Sequence, residues 1–212
     1  MFRLAAPMAG NALVFGGIPL VDAAMAATLG DRQLAILSYG NRLILPIVGI
    51  SSAALATVVF PYFSRLVAEQ NWVGLQRTLS HYTRLILIAS IPLTVALVAL
   101  SETVVRVLFE RGEFSAADTA AVARVQAILA LMIPAYALGA LYSRMLISLG
   151  KTHLMLVSSM IVFGANVIGD YLLKEWIGIE GIALATVLNL LLALTFTWWL
   201  SRRLLRARLT SG

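Results

Sequence analysis

Of the chain's 212 residues, 60% are hydrophobic, only 12% are charged and none is cysteine. A soluble domain carries roughly 25% charged residues, so a chain with a mean hydropathy of +0.91 cannot coat a water-facing surface. The missing cysteines exclude disulfide frameworks, thiolate catalysis and cysteine-based metal sites.

In lipid, every backbone polar group must pair within a helix or a closed barrel. The apolar runs are rich in Leu, Ala, Ile and Val and lack the two-residue alternation of barrel strands, which predicts an all-α integral membrane protein. A span takes about 20 apolar residues. The first is Leu4–Thr28, and Arg3 leads into it with no cleavage site, so it is no removable signal. The second, Leu43–Phe63, is opened by Tyr39-Gly40-Asn41-Arg42. A segment with Trp72, Leu75, Leu79 and Tyr82 at helical spacing follows, and is expected to lie in the membrane interface. The third span, Leu85–Leu100, is short and extends into that segment if a full crossing is required.

Next comes a long loop in which Glu102, Arg106 and Glu110 form an i,i+4 ladder. Arg111-Gly112-Glu113-Phe114 breaks that helix, and Ser115 with Asp118 has the spacing of a capping box. The remaining spans are Ala120–Leu146, Leu154–Leu173 and Ile179–Leu200, with a basic tail over 201–212. The whole is expected to form one transmembrane domain over 1–212. Pro19, Pro46, Pro92 and Pro134 fall inside apolar runs, where each removes a helical hydrogen bond.

The charges sort by side. Arg3, Arg65, Arg77, Arg84, Arg144, Lys151, Arg202, Arg203, Arg206 and Arg208 share the side of both termini with a single acid, Glu69. Arg32, Arg42, Arg106, Arg111, Arg124 and Lys174 lie on the other, balanced by Asp31, Glu102, Glu110, Glu113, Asp118, Glu175 and Glu180. This asymmetry predicts cytoplasmic termini in a plasma (inner) membrane. It accounts for the net charge of +6 as a topology signal and a contact with membrane lipid, with no nucleic-acid partner.

Ionisable groups inside spans are costly and mark function. Asp22 lies about 9 Å of helix before the outer end of its span, at 1.5 Å per residue. Asp170 and Thr186 lie at comparable depth in the fifth and sixth spans, and Asn166 is one turn before Asp170 on the same face. If the three spans pack together, Asp22, Asn166, Asp170 and Thr186 offer only hard oxygen ligands, which suit a monovalent cation such as sodium. Asn11, three turns below Asp22, lines the same cavity or bonds another helix. Arg42 either snorkels or aims a forked donor at a phosphate. His81 and His153 stand apart in loops, and no phosphate loop, nucleophile elbow or paired-acid motif occurs, so no enzyme is expected.

The run Leu37-Ser38-Tyr39-Gly40-Asn41-Arg42-Leu43, Pro46 and Val59-Phe60-Pro61-Tyr62-Phe63-Ser64-Arg65 resembles the MviN/MurJ-type lipid II flippases of the multidrug/oligosaccharidyl-lipid/polysaccharide exporter superfamily. Leu108-Phe109-Glu110-Arg111-Gly112-Glu113-Phe114 with Asp118-Thr119, and Gly178 to Thr186, resemble that family's outer loop and the start of its twelfth helix. The resemblance implies six helices equivalent to the C-terminal lobe of a two-lobe flippase, moving an undecaprenyl-diphosphate-linked saccharide by cation-linked alternating access. It implies sodium at Asp22, Asn166, Asp170, Thr186 and the Ile182 carbonyl, and substrate contacts from Arg42, Asn41 and Asn11. Position 41 is commonly Asp in the family and is Asn here, which leaves a related polysaccharide carrier open as the substrate. Family members are twice as long, so an N-terminal lobe is expected from another chain or a longer parent. A truncated or non-transporting subunit is the other reading of the same six spans.

Overall fold

The computed structural model describes the backbone of residues 2–210, and the side chains of 10, 13, 14 and 16–210 within it. Its helices are α1 (Phe2–Ala27), α2 (Asp31–Ala54), α3 (Phe60–Ala68), α4 (Trp72–Ala99), α5 (Ser101–Phe109), α6 (Ala116–Ala130), α7 (Met132–Ser148), α8 (Thr152–Ile177) and α9 (Ile179–Leu209). No strand occurs among the described residues. Five helical stretches are long and apolar enough to cross a membrane, and Gly16–Ala27 adds a shorter apolar one. Large side chains such as Leu20, Ile50, Val107 and Trp176 face outward, the inverted surface of a protein solvated by lipid. The chain is a multi-pass, all-α membrane protein.

Two spans are longer than the apolar runs and are jointed. A π-helical turn over Leu55–Val59 joins α2 to α3, so one rod runs over Asp31–Ala68. Its cause is Pro61, which has no N–H to offer the Thr57 carbonyl and whose ring crowds the preceding turn. The Thr57 hydroxyl also turns back on the Ala53 carbonyl, at 3.0 Å. The second joint, at Leu131, parts α6 from α7 inside the stretch Ala116–Ser148. Pro134 removes the donor that the Ala130 carbonyl would receive four residues on. The Thr94 hydroxyl of α4 donates to that carbonyl instead, at 3.4 Å in a buried position.

The interfacial helix expected around Trp72–Tyr82 is not separate. Those residues are the first turns of α4, which continues to Ala99. Leu75 and Leu79 are buried against Phe63, Leu66, Leu141 and Met145, so the apolar face that suggested an interfacial helix is spent on α3 and α7. The basic segment after Leu200 is likewise helical, as the last turns of α9. The ladder and capping box do form. Arg106 pairs with Glu102 and Glu110, and Ser115 and Asp118 cap α6 reciprocally.

α9 is the central post, packed on α6, α7 and α8 and touching α1, α2 and α4. One apolar core joins α1, α2, α6 and the start of α9. A second joins α3, α4, α7 and the end of α9. Ion pairs Arg32–Asp118 (2.7 Å) and Arg124–Glu180 (2.6 Å) link α2 to α6 and α6 to α9 at the first end. Being solvent-exposed, they fix register more than they add stability. The α8–α9 corner depends on glycine. Gly178 turns at φ 63°, where a Cβ is disfavoured, and a side chain at Gly181 would overlap the Leu173 carbonyl.

Candidate functional site

α1, α8 and α9 meet between the two cores. A Cβ at Gly169 would meet the Ala185 methyl and the Asn189 amide at ordinary contact distance, so α8 and α9 approach each other there through small residues. That approach places Asn166 and Asp170 of α8 next to Ile182 and Thr186 of α9, and α1 completes the set with Asp22. Asn166 Nδ2 donates to Asp22 Oδ1 at 3.1 Å. Thr186 Oγ1 lies 3.0 Å from Asp22 Oδ2 and 3.1 Å from its own helix's Ile182 carbonyl. Asn166, Asp170 and Ile182 are fully buried, and Asp22 is 7% exposed.

The bonding is incomplete. Both Asp170 oxygens and Asn166 Oδ1 are buried without any donor. A buried carboxylate with no partner is costly, and here a second carboxylate stands within electrostatic reach of it. The nearest cation in sequence, Lys174, is one turn beyond Asp170. Its ammonium donates to Thr28 Oγ1 at 3.1 Å and leans on the Met25 sulfur. The residues therefore present orphaned oxygens from carboxylate and amide beside a hydroxyl and a main-chain carbonyl. Among the described residues no three of His, Asp or Glu cluster. Two acids in an all-oxygen set fit one hard cation of low charge.

A cavity of about 640 Å³ opens beside this set. Asp22, Thr186, Asn189, Asn41, Ser38 and Tyr136 supply its polar lining, and Pro19, Leu45 and Val48 are among its apolar walls. The substrate residues suggested by the sequence do not share it. Asn41 lines this cavity, whereas Arg42, 100° further round α2, faces a separate cleft of about 610 Å³ with Arg32, Arg111, Phe109 and Phe114. There its guanidinium stacks 4.3 Å over the Tyr39 ring, and Tyr39 packs edge-on against Phe109 and Phe114. The Asn11 side chain lies outside the described residues. Sequence reasoning missed Asn189 as a cavity residue, although it is three positions beyond Thr186 and so near its face. It also missed Lys174, whose i+4 spacing from Asp170 was the available signal.

The family model described as lipid II flippase MurJ matches residues 3–211. A probable lipid II flippase MurJ from Synechocystis is 34% identical over 179 residues, covering 84% of this chain and 34% of that protein. A counterpart in Rickettsia prowazekii is 24% identical, covering 84% and 36% respectively. The chain thus spans about a third of the length of these relatives. Among solved structures, a lipid II flippase MurJ in an inward closed conformation superposes with a TM-score of 0.81 at 23% identity, over 91% of this chain and 41% of that one. A transporter of the same exporter superfamily from Pyrococcus furiosus gives 0.82 at 19% identity, over 94% and 44%. At these identities the structures share the fold alone, over about two fifths of each solved chain.

Proposed function

The chain belongs to the lipid II flippase MurJ family, and from that premise we propose that it is the C-terminal lobe of a flippase for a diphosphate-linked lipid saccharide. The observation that carries this reading is the partnerless Asp170 carboxylate, held with Asp22, Asn166 and Thr186 at the seam of three helices beside a large cavity. Membrane-buried acids at helix seams mark coupling sites in transporters. The lobe works with an N-terminal lobe that closes the cavity from the other side, and both termini face the cytoplasm of the plasma membrane, in accord with the basic excess at that end.

Asp22, Asn166, Asp170, Thr186 and the Ile182 carbonyl would hold sodium, which when bound offsets the two carboxylate charges. The chain's own residues then do the mechanical work. With the charges offset, α1 stays bonded to α8 and α9 through Asp22; without that, two like charges in low dielectric push α1 away. Such a site biases the transport cycle only if its affinity differs between the two states. Arg42 supplies the forked donor for the diphosphate, and Asn41 contacts substrate across the α2 wall of the neighbouring cavity.

The test is translocation. The chain is reconstituted with the N-terminal lobe of a family member in liposomes, and flipping of a fluorescent undecaprenyl-diphosphate saccharide is followed by quencher accessibility. Flipping requires both lobes, is faster in sodium than in potassium, and falls at least tenfold with Arg42→Gln. Both lobes assembling without flipping would favour the non-transporting subunit instead.

A further inference from the structure

A second chamber, of about 210 Å³, lies against the first and shares Tyr136 and Leu190 with it. It sits toward the opposite end of the lobe, walled by α7, α8, α9 and the end of α2. Its one charged residue is Arg144, four positions before the end of α7. Arg144 is partly buried, its Nε is fully enclosed, and among the described residues the side chain makes no ion pair or hydrogen bond. The one acid assigned to this side, Glu69, is occupied by Arg65 at 2.8 Å.

Of the hydroxyls around it, Thr197 of α9 turns back onto the Ala193 and Leu194 carbonyls, and the other four are uncommitted. Ser52 of α2, Ser143 of α7 and Ser158 of α8 line the chamber with Tyr136, and none of these four bonds to another described residue. Ser51 and Ser159, the sequence neighbours of Ser52 and Ser158, and Ser148 at the end of α7 each turn back onto a carbonyl of their own helix, which is the usual behaviour of serine in a membrane helix. Snorkelling of the guanidinium tip accounts for an enclosed Nε alone and leaves the open serines on three separate helices unexplained.

We propose that Arg144, with Ser52, Ser143, Ser158 and Tyr136, forms a site for a tetrahedral oxyanion, a phosphoryl group above all. A guanidinium and several hydroxyl donors complement such a group's charge and its lone pairs. The volume of about 210 Å³ equals about seven waters at ~30 Å³ each, which admits one phosphoryl group with its waters. The proposal stands on this chamber alone and does not depend on the flippase reading. The phosphoryl group is either free in solution or carried on a lipid headgroup.

Thermal unfolding of the full chain separates these sources. In one arm, detergent-purified protein is titrated with inorganic phosphate and then pyrophosphate, against chloride at matched ionic strength. In the other, nanodiscs of phosphatidylglycerol are compared with phosphatidylcholine. Loss of a charged hydrogen-bonding partner weakens binding about 10- to 100-fold, so Arg144→Gln should shift the titration midpoint by that factor. Arg203→Gln, an exposed residue beside Trp199, should leave it in place. Ser52→Ala with Ser158→Ala keeps the charge and should weaken binding several-fold, which reads the same chamber if Arg144→Gln does not fold. Stabilisation by the free anions assigns a soluble source; stabilisation by phosphatidylglycerol alone, lost in the variants, assigns a lipid headgroup. No response of the wild type in either arm, or one the variants retain in full, overturns the site.

Discussion

Asp170→Asn tests the cation set most directly, because it removes one charge while keeping the shape of the side chain. Both oxygens of Asp170 are buried and no other side chain donates to them, so without sodium the Asp22–Asp170 pair either shares a proton or holds an uncompensated charge. Ligand linkage stabilises the folded chain by about 2.7 kcal/mol when sodium is 100 times its dissociation constant. For a chain of this size each kcal/mol moves the melting temperature by roughly 2–4 °C. The wild type should therefore melt about 5–11 °C higher in saturating sodium than in potassium at equal ionic strength. The variant has lost half of the anionic charge in the set, and its melting temperature should be flat in sodium. Its potassium value should equal or exceed that of the wild type, since a neutral amide costs less to bury than a lone charge. The assay is differential scanning fluorimetry in detergent, with Asp170→Ala as a second variant that also removes the oxygens. A sodium shift retained in both variants would refute the reasoning. A potassium-state melt of Asp170→Asn well below wild type would show that the carboxylate is satisfied by something other than a cation.

Thr94→Val should destabilise the chain by about 1–2 kcal/mol, because the Ala130 carbonyl loses the donor that replaces the one missing at Pro134. Combining it with Pro134→Ala should recover part of the loss in a double-mutant cycle read by unfolding, since a backbone N–H is restored. Gly181→Ala should lower stability by at least ~1–3 kcal/mol, because the methyl overlaps the Leu173 carbonyl. It should also blunt the sodium shift, as that corner sets how α8 meets α9. Gln126→Met should raise stability by about 1–3 kcal/mol. Gln126 is fully buried and neither amide atom has a partner, so a side chain of similar length without polar atoms avoids an unmet hydrogen-bonding cost. An unchanged or lower melting temperature for Gln126→Met would show that the amide is satisfied.

Much of the architecture was legible along the chain because lipid imposes one-dimensional constraints. Span length and helix type follow from the apolar runs, and Ser115 with Asp118 announces its cap by spacing alone. Asn166 and Asp170 were readable as a same-face pair because helical periodicity is fixed within one element. Leu75 and Leu79 show the limit. Their spacing fits an interfacial helix and a core face equally, and only the presence of α3 and α7 against them decides between the two.

What sequence could not supply is the rotation of one helix about its axis relative to the next. That rotation places Asn41 on one cavity and Arg42 on another, though they are adjacent residues. It also brings Asp22 against Asn166 and Thr186, and it leaves Arg144 without an acid to meet. Composition and periodicity by themselves settled that this is a helical membrane protein and which residues were costly enough to matter. Tertiary packing alone decided which of those groups found partners, because a side chain's surroundings in lipid are set by neighbouring helices and no solvent stands ready to substitute for them.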